Sequence, residues 1–429
     1  MKKEIKQRIE QIKKGKVPEG YLYTKAGILA NWDCVHINQI AKPITDKAGN
    51  GTYETLSISA GIGFVNQAKK FGKELSGKQY EKYTVLKRGD FSYNKGNSKT
   101  YPQGCIYRLK DRETAAVPNV FESFTVKEGD SDYYEQLFTL GFLNKQLSAK
   151  INHGVRDDGL LNLTEKDFYS CYVPAPPIAE QTKIAEILMQ CDKVIELKQK
   201  LIDETKKLKK VLLRKMFPQE GENVPEIRFP GFTSPWEQRK LGELYESSCS
   251  GGTPTSSIER YYNGDIPFLG IADIISRTVY ETKKHISEEG LNNSTAVMIP
   301  TGTVSLAMYA SVGKVGITGV PMTTSQAFYN MTFASETVRD YVYTMLEKME
   351  LFSEWEPLIS TGTQRNLNAD KVKNKVITVP SEAEMKLIGN LFTNLDNTIT
   401  LHQREQQEWQ NKKKALMQLL LTGIVRVNI

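Results

Sequence analysis

The chain has 429 residues, 39% of them hydrophobic and 25% charged, with a net charge of +7. This is the composition of a globular protein of roughly two to four domains, and no apolar run approaches the ~18 residues that crossing a bilayer requires. The five cysteines (Cys34, Cys105, Cys171, Cys191, Cys249) are odd in number and scattered, and the four histidines stand apart, which excludes a disulfide framework or a zinc cluster as an expectation. The opening Met1-Lys-Lys-Glu-Ile lacks an apolar signal core, so a cytoplasmic protein with no membrane contact is expected. The basic bias permits a nucleic-acid partner without demanding one.

Residues 1–20 carry Ile5, Ile9 and Ile12 on one helical face, followed by Gly15, Pro18 and Gly20, and predict a short helix and a linker. Residues 21–175 predict a β-rich globular unit. Short β-prone runs cover 52–58, 83–86, 91–93 and 104–109, with a turn at Lys87-Arg-Gly-Asp90 and a polar loop from Asn94 to Tyr101. A helix is expected over 133–151. Pro174-Ala-Pro-Pro177 then holds the backbone extended. Residues 180–217 contain no glycine or proline and predict one helix, closed by Pro218 and roughly 57 Å long. Its apolar residues Ile184, Ile187/Leu188, Cys191, Val194/Ile195, Leu201/Ile202, Leu208 and Leu212 recur at the spacing of a coiled-coil seam, with Lys198 and Thr205 interrupting it and Lys206, Lys207, Lys209 and Lys210 on other faces. The spacer helix with its flanks spans 176–218, and a polar linker occupies 219–225.

Residues 226–380 predict a second β-rich unit, with turns at 251–254 and 262–265, strands over 303–309, 315–318 and 328–333, a tight loop at Ser311-Val-Gly-Lys314 and a helix over 338–351. A second long helix follows, within 381–421, and the tail 422–429 is expected to fold back. This helix is a copy of the first. At a shift of 204 residues Glu180 falls on Glu384, Ile184 on Ile388, Asp192 on Asp396, Trp32 on Trp236 and Ile37 on Leu241; at 206, Leu161-Asn162 meets Leu367-Asn368. The period is far too long for a solenoid, so the plan is a tandem duplication with pseudo-two-fold symmetry. The fold class expected is α+β: two β-rich globular units separated by two long antiparallel helices.

No Walker-type phosphate loop and no Asn/Asp-Pro-Pro-Tyr/Phe methyltransferase signature occurs. Asp273, Glu281 and Lys283 have the residue order of a metal nuclease, which keeps open a DNA enzyme with its own active site. A coiled-coil protein-binding scaffold is also open. The polar loops point instead to DNA reading. In the first unit Lys95, Asn97, Ser98, Lys99 and Tyr101, and in the second Ser311, Lys314, Thr323, Thr324, Gln326, Arg365 and Asn366, mix cations suited to phosphate with amides and hydroxyls suited to base edges.

Pro177-Ile-Ala-Glu-Gln-Thr-Lys-Ile184 running to Asp192, Arg214-Lys-Met-Phe217, Val224-Pro-Glu-Ile-Arg-Phe-Pro-Gly-Phe232 with Trp236, Thr324-Ser-Gln-Ala-Phe328 and Gly362-Thr-Gln-Arg-Asn-Leu367 together resemble the specificity subunits of Type I restriction–modification systems. The second copy departs from the pattern at Glu384-Met-Lys. The resemblance implies that each globular unit is a target recognition domain reading one half of a bipartite, asymmetric site in double-stranded DNA, and that the helices fix the spacer. It implies two methyltransferase subunits carrying S-adenosylmethionine, docked on the helices, with Glu180, Gln181, Ile184, Asp192, Glu384, Ile388 and Asp396 as the expected contacts. Motor–nuclease subunits would use ATP and Mg. The chain itself would bind no cofactor or metal and catalyse nothing.

Overall fold

A computed structural model describes residues 3–24, 27–73, 77–96, 100–151, 160–361 and 365–427. The prolines act as their chemistry requires. Tyr172–Ala175 is a strand. Helix begins at Ile178, where the Pro177 carbonyl accepts from the Glu180 and Gln181 N–H groups at 2.8 and 3.0 Å. This first long helix runs 38 residues, Ile178–Lys215, and stops short of Pro218; the second, Glu382–Leu420, has 39.

The chain forms two compact units, Met1–Glu196 with Gln407–Ile429 and Leu197–Gln406. Both divisions fall inside the long helices, so each unit holds a part of each helix. Within the first unit the helices pair antiparallel, with Lys413 on Asp192 at 2.6 Å. Within the second they do the same, with Lys198 on Glu405 at 2.6 Å. The seam differs from the expected one in its second half. Ile184, Leu188, Cys191, Ile202 and Leu213 are buried, but Leu201 and Leu208 are exposed. A cation, Lys209, occupies the buried position beside Leu208. Lys209 is tolerated there because Glu347 at 2.5 Å and Asp396 neutralise it. Lys198 is likewise paired rather than an interruption.

The first unit contains a four-stranded antiparallel sheet in the order Ala41–Pro43, Glu122–Val126, Phe91–Asn94, Cys105–Arg108. Phe91, Phe124 and Phe138 pack in stacked and edge-on pairs between this sheet and helix Ser131–Thr139. The core continues into Ile184, Leu188, Met417 and Leu420 of the long helices. The helix expected over 133–151 is two, Ser131–Thr139 and Asn144–Lys150. Gly141 separates them with φ +75°, a left-handed turn that only glycine adopts without strain.

The second unit repeats this plan with one strand more. Its five-stranded sheet has the order Ser247–Ser250, Phe328–Thr332, Val304–Ala307, Val315–Thr318, Thr278–Val279. Helix Glu336–Leu351 and the long helices cover it through Tyr341, Leu346, Leu213, Ile388 and Phe392. In each unit a two-stranded ladder closes the chain before the long helix: Asp33–His36 with Tyr172–Ala175, and Glu237–Lys240 with Val376–Val379. The tail folds back as expected. In the first unit Ala30 N–H donates to the Thr422 carbonyl at 3.1 Å. Gly423 sits against Trp32, where a Cβ would come within 2.3 Å of Ala30.

Candidate nucleic-acid interface

One hairpin of each sheet, at the edge in the first unit and central in the second, ends in the polar loop singled out from sequence. In the second unit this is the connection 308–314, between Val304–Ala307 and Val315–Thr318. Its path is set by two left-handed residues, Ala310 at φ +56° and Gly313 at φ +93°. Glycine is required at 313 because a Cβ would stand 2.6 Å from the Trp355 ring. Ser311 is exposed at the loop tip, and Lys314 reaches back so that its Nζ donates to the Ile271 carbonyl at 3.1 Å. Two further segments meet this loop. Met308 N–H donates to the Ala327 carbonyl at 2.7 Å, bringing the exposed Gln326 alongside. Leu367 N–H donates to the Met308 carbonyl at 2.9 Å, and Asn366 bridges to Tyr309, bringing 365–367 alongside. Ser311, Lys314, Gln326 and Asn366 therefore gather at one end of the sheet; of Arg365 the backbone alone is described.

Thr323 and Thr324 do not join them. Both are fully buried. The Thr323 hydroxyl donates to the Pro267 carbonyl at 3.0 Å, and that of Thr324 accepts from Asn330 Nδ2 at 2.9 Å. These hydroxyls satisfy the interior of the unit and are not available to a base edge. Asp273 is also engaged locally: its carboxylate caps the Gly270 and Lys283 N–H groups at 2.9 and 3.2 Å.

In the first unit the equivalent connection is 95–104, between Phe91–Asn94 and Cys105–Arg108. Asn97, Ser98 and Lys99 lie outside the described residues. Lys95 turns inward, its Nζ 2.5 Å from Glu122 and 3.4 Å from the Leu163 carbonyl, so its charge is compensated. Tyr101 packs beside the hairpin Leu56–Ser59/Gly63–Asn66, its hydroxyl 3.6 Å from where a Cβ on Gly61 would lie. Next to it the Tyr107 hydroxyl accepts from Gly61 N–H at 2.8 Å, and burial pushes its pKa up to about 12.

The residues expected to meet a partner subunit are internal instead, except Asp192, which is half-exposed. Glu180 is fully buried and is clamped by Arg426 at 2.5 and 2.6 Å, with Trp32 Nε1 donating at 3.1 Å. Glu384 repeats this with Arg228 at 2.7 Å twice. Gln181 accepts from Asp130 N–H at 2.8 Å and donates to the Pro176 carbonyl at 2.7 Å. Ile184 and Ile388 are core. Asp192 binds Lys413 and Gln136, and Asp396 binds Lys209 and Arg277. Each fastens a long helix to its own unit, which is why the motif recurs. The surface that sequence reading missed is a stripe of exposed apolar residues on the first long helix within the second unit: Leu197, Leu201, Leu208 and Val211, 41–51% exposed. Their spacing of 4, 7 and 3 residues marks one helical face. The sequence pattern assigns Leu201 and Leu208 to the seam, and the structure puts them on this outer face instead.

A family model described as the Type I restriction modification DNA specificity domain matches the chain twice, over residues 18–207 and 233–410. The chain belongs to this family. Each matched specificity domain contains one loop-bearing sheet and most of one long helix. The specificity subunit of the type I restriction enzyme MjaVIII from Methanocaldococcus jannaschii is 25% identical over 63% of this chain and 65% of its own length. That of HindI from Haemophilus influenzae is 27% identical over 49% of this chain and 46% of its own. The matches thus span less than two thirds of these relatives. Among solved structures, a chain from a study of the assembly and conformational transition of the type I R-M system covers 96% of this chain and 100% of itself, with TM-score 0.54 and 17% identity. The S subunit of a type I restriction–modification system from M. genitalium covers 93% and 97%, with TM-score 0.57 and 14% identity. These establish the common fold.

Proposed function

We propose that this specificity-family chain is the DNA-reading subunit of a Type I restriction–modification complex. Each unit reads one half of a bipartite, asymmetric site in double-stranded DNA through the loop at the end of that hairpin. The observation that carries this reading is the duplication of that loop: 95–104 and 308–314 occupy the same place in two copies of one sheet, within the two segments that match the specificity-domain model. In the second unit Ser311, Lys314, Gln326 and Asn366 are the residues offered to DNA. In the first, Tyr101 and the segment Asn97-Ser-Lys99 are offered. The long helices set the distance between half-sites. Their exposed leucine stripe, rather than the buried Glu180 and Glu384 motifs, receives the methyltransferase subunits.

The chain supplies the address and no catalysis. S-adenosylmethionine belongs to two methyltransferase partners, and ATP and Mg to motor–nuclease partners, in the cytoplasm. The test is modified-base sequencing of DNA from an unmethylated bacterial host that expresses this chain with its methyltransferase partner, beside hosts expressing either alone. A split motif with methyladenine in both halves, dependent on both proteins, is expected. Methylation with this chain alone would reveal an active site of its own. Assembly without methylation would favour a protein scaffold.

A further inference from the structure

In both units a second β-connection lies beside the DNA loop, at corresponding places in the fold. In the first unit it is the tip 60–62 of the hairpin Leu56–Ser59/Gly63–Asn66. In the second it is the longer stretch 270–283 between the antiparallel strands Ile266–Leu269 and Lys284–Ile286, which lends Thr278–Val279 to the five-stranded sheet on its way. The correspondence is fixed by pairing. The first strand of each pair runs parallel to the strand that follows the loop-bearing hairpin: Thr55 bridges Ala116, and Phe268 and Leu269 pair with Thr323 and Thr324.

Each connection holds out an isoleucine. Ile275 is 87% exposed and Ile62 is 75%, the two most exposed large aliphatic side chains among the described residues. A single exposed isoleucine needs no explanation. Two, each in the corresponding connection of two diverged copies and beside the candidate DNA loop, do. Ile62 follows Gly61, which is hydrogen-bonded to Tyr107 and packed on Tyr101. Ile275 follows Ile274, which lies against Gly316, and the connection is tied to Lys314 through the Ile271 carbonyl. Ile275 also rims a cleft of about 440 Å³ lined by Lys206, Lys210, Arg277 and Lys314. Lys209 and Arg277 there answer Glu347 and Asp396, leaving Lys206 and Lys210 exposed to attract phosphate.

An apolar, branched side chain held out beside a candidate DNA loop, and at Ile275 also beside the exposed Lys206 and Lys210, suits one feature of duplex DNA. The only apolar group on the base edges of the major groove is the thymine C5-methyl. We infer that Ile62 and Ile275 are specificity residues, each covering a thymine methyl in the half-site that its own unit reads. The inference rests on the proposed function.

The test uses the full chain with its methyltransferase partner and a duplex carrying the split site found by modified-base sequencing. Thymines are replaced by uracil in one half-site at a time, which removes only the methyl. Wild type is expected to bind the substituted duplex about threefold to fivefold more weakly, the worth of one buried methyl group. Ile62→Ala is expected to lose that sensitivity in one half-site and keep it in the other, and Ile275→Ala to do the reverse. Both side chains are exposed, so both variants keep the wild-type melting temperature. Uracil sensitivity that persists in both variants overturns the inference, as does wild-type indifference to uracil or a half-site without thymine. In those cases binding to the split site over random duplex still stands, and so does the proposed function. Failure to prefer the split site removes both.

Discussion

The two buried arginine–glutamate clamps have one geometry and different surroundings, so they predict a ranking. Arg228 grips Glu384 with both partners hidden, 12% and 1% exposed. Arg426 grips Glu180 with the carboxylate at 0% but the arginine at 46%, and Trp32 donates to the same carboxylate. Arg228→Ala leaves Glu384 as a buried, uncompensated charge, a loss of ~3–5 kcal/mol. Arg426→Ala opens Glu180 to water already at its edge and leaves it the indole N–H, so the loss is ~1–2 kcal/mol. At roughly 2–4 °C per kcal/mol for a unit of this size, the two separate clearly in thermal unfolding of the purified full chain. Replacing both partners, Arg228→Met with Glu384→Leu, removes the stranded charge and is expected to recover most of the loss. If Arg426→Ala costs as much as Arg228→Ala, or if the double variant is no more stable than Arg228→Ala, burial is not what sets the strength of the clamp.

Lys209→Met strands Glu347 and leaves Asp396 to Arg277 alone, and urea titration should show a loss of about 3 kcal/mol. Burial holds the Glu347 carboxyl above the ordinary carboxylate range, against the pull of Lys209. A raised folded pKa contributes stability below the unfolded value that is lost as pH rises through the folded one. Glu347→Gln escapes that loss, so its melting temperature should rise relative to wild type with increasing pH across that window; a pH-independent difference would contradict the assignment. Leu201→Glu with Leu208→Glu changes only exposed side chains, so stability should stay within ~0.5 kcal/mol, while co-purification with the methyltransferase partner should fail. Gly313→Ala forces a Cβ into the Trp355 ring at positive φ and should cost more stability, read by urea titration, than the ~1 kcal/mol of backbone strain alone.

What the sequence made legible follows from where the signal is long. Forty residues without glycine or proline, bracketed by Pro177 and Pro218, leave little but helix, and the observed ends fall within two residues of those expected. The seam phase read from sequence differs because hydrophobicity favours Leu208 over Lys209 and cannot choose between Leu212 and Leu213; only the position of Glu347 and Asp396, far away in sequence, makes a lysine the buried residue. The short apolar strands were legible too, the runs 91–93, 104–109, 315–318 and 328–333 falling on observed strands, but polar ones left little trace. Glu237–Lys240 is exposed along its whole length, so it carries no alternation to read. The candidate interface suffered a related ambiguity. A threonine hydroxyl suits a base edge or an internal carbonyl equally, and Thr323 and Thr324 took the internal partners that strand pairing brought to them. The surface residues that survive, Ser311, Lys314 and Gln326, lie in turns, where the fold makes fewer claims on side chains.

The proposed function makes its strongest demand on the long helices. The units divide between Glu196 and Leu197 in one helix and between Gln406 and Gln407 in the other. Inserting seven residues at both points preserves the 3.5-residue seam, so Ile184 and Leu188, and Ile388 and Phe392, keep their own units' cores. The insertion adds about 10 Å of helix, the length of about three base pairs. Modified-base sequencing should then report both half-sites unchanged and a spacer about three base pairs longer. Binding should also weaken, because three base pairs turn the duplex by roughly a third of its ~10.5-base-pair repeat, whereas a heptad rotates the helix by only ~20°. Five inserted residues put the two halves of each seam out of phase and should instead lower the melting temperature. An unchanged spacer in the seven-residue variant would mean that something other than the helices measures the site. A changed half-site would mean that the units do not read DNA independently of the helices that join them.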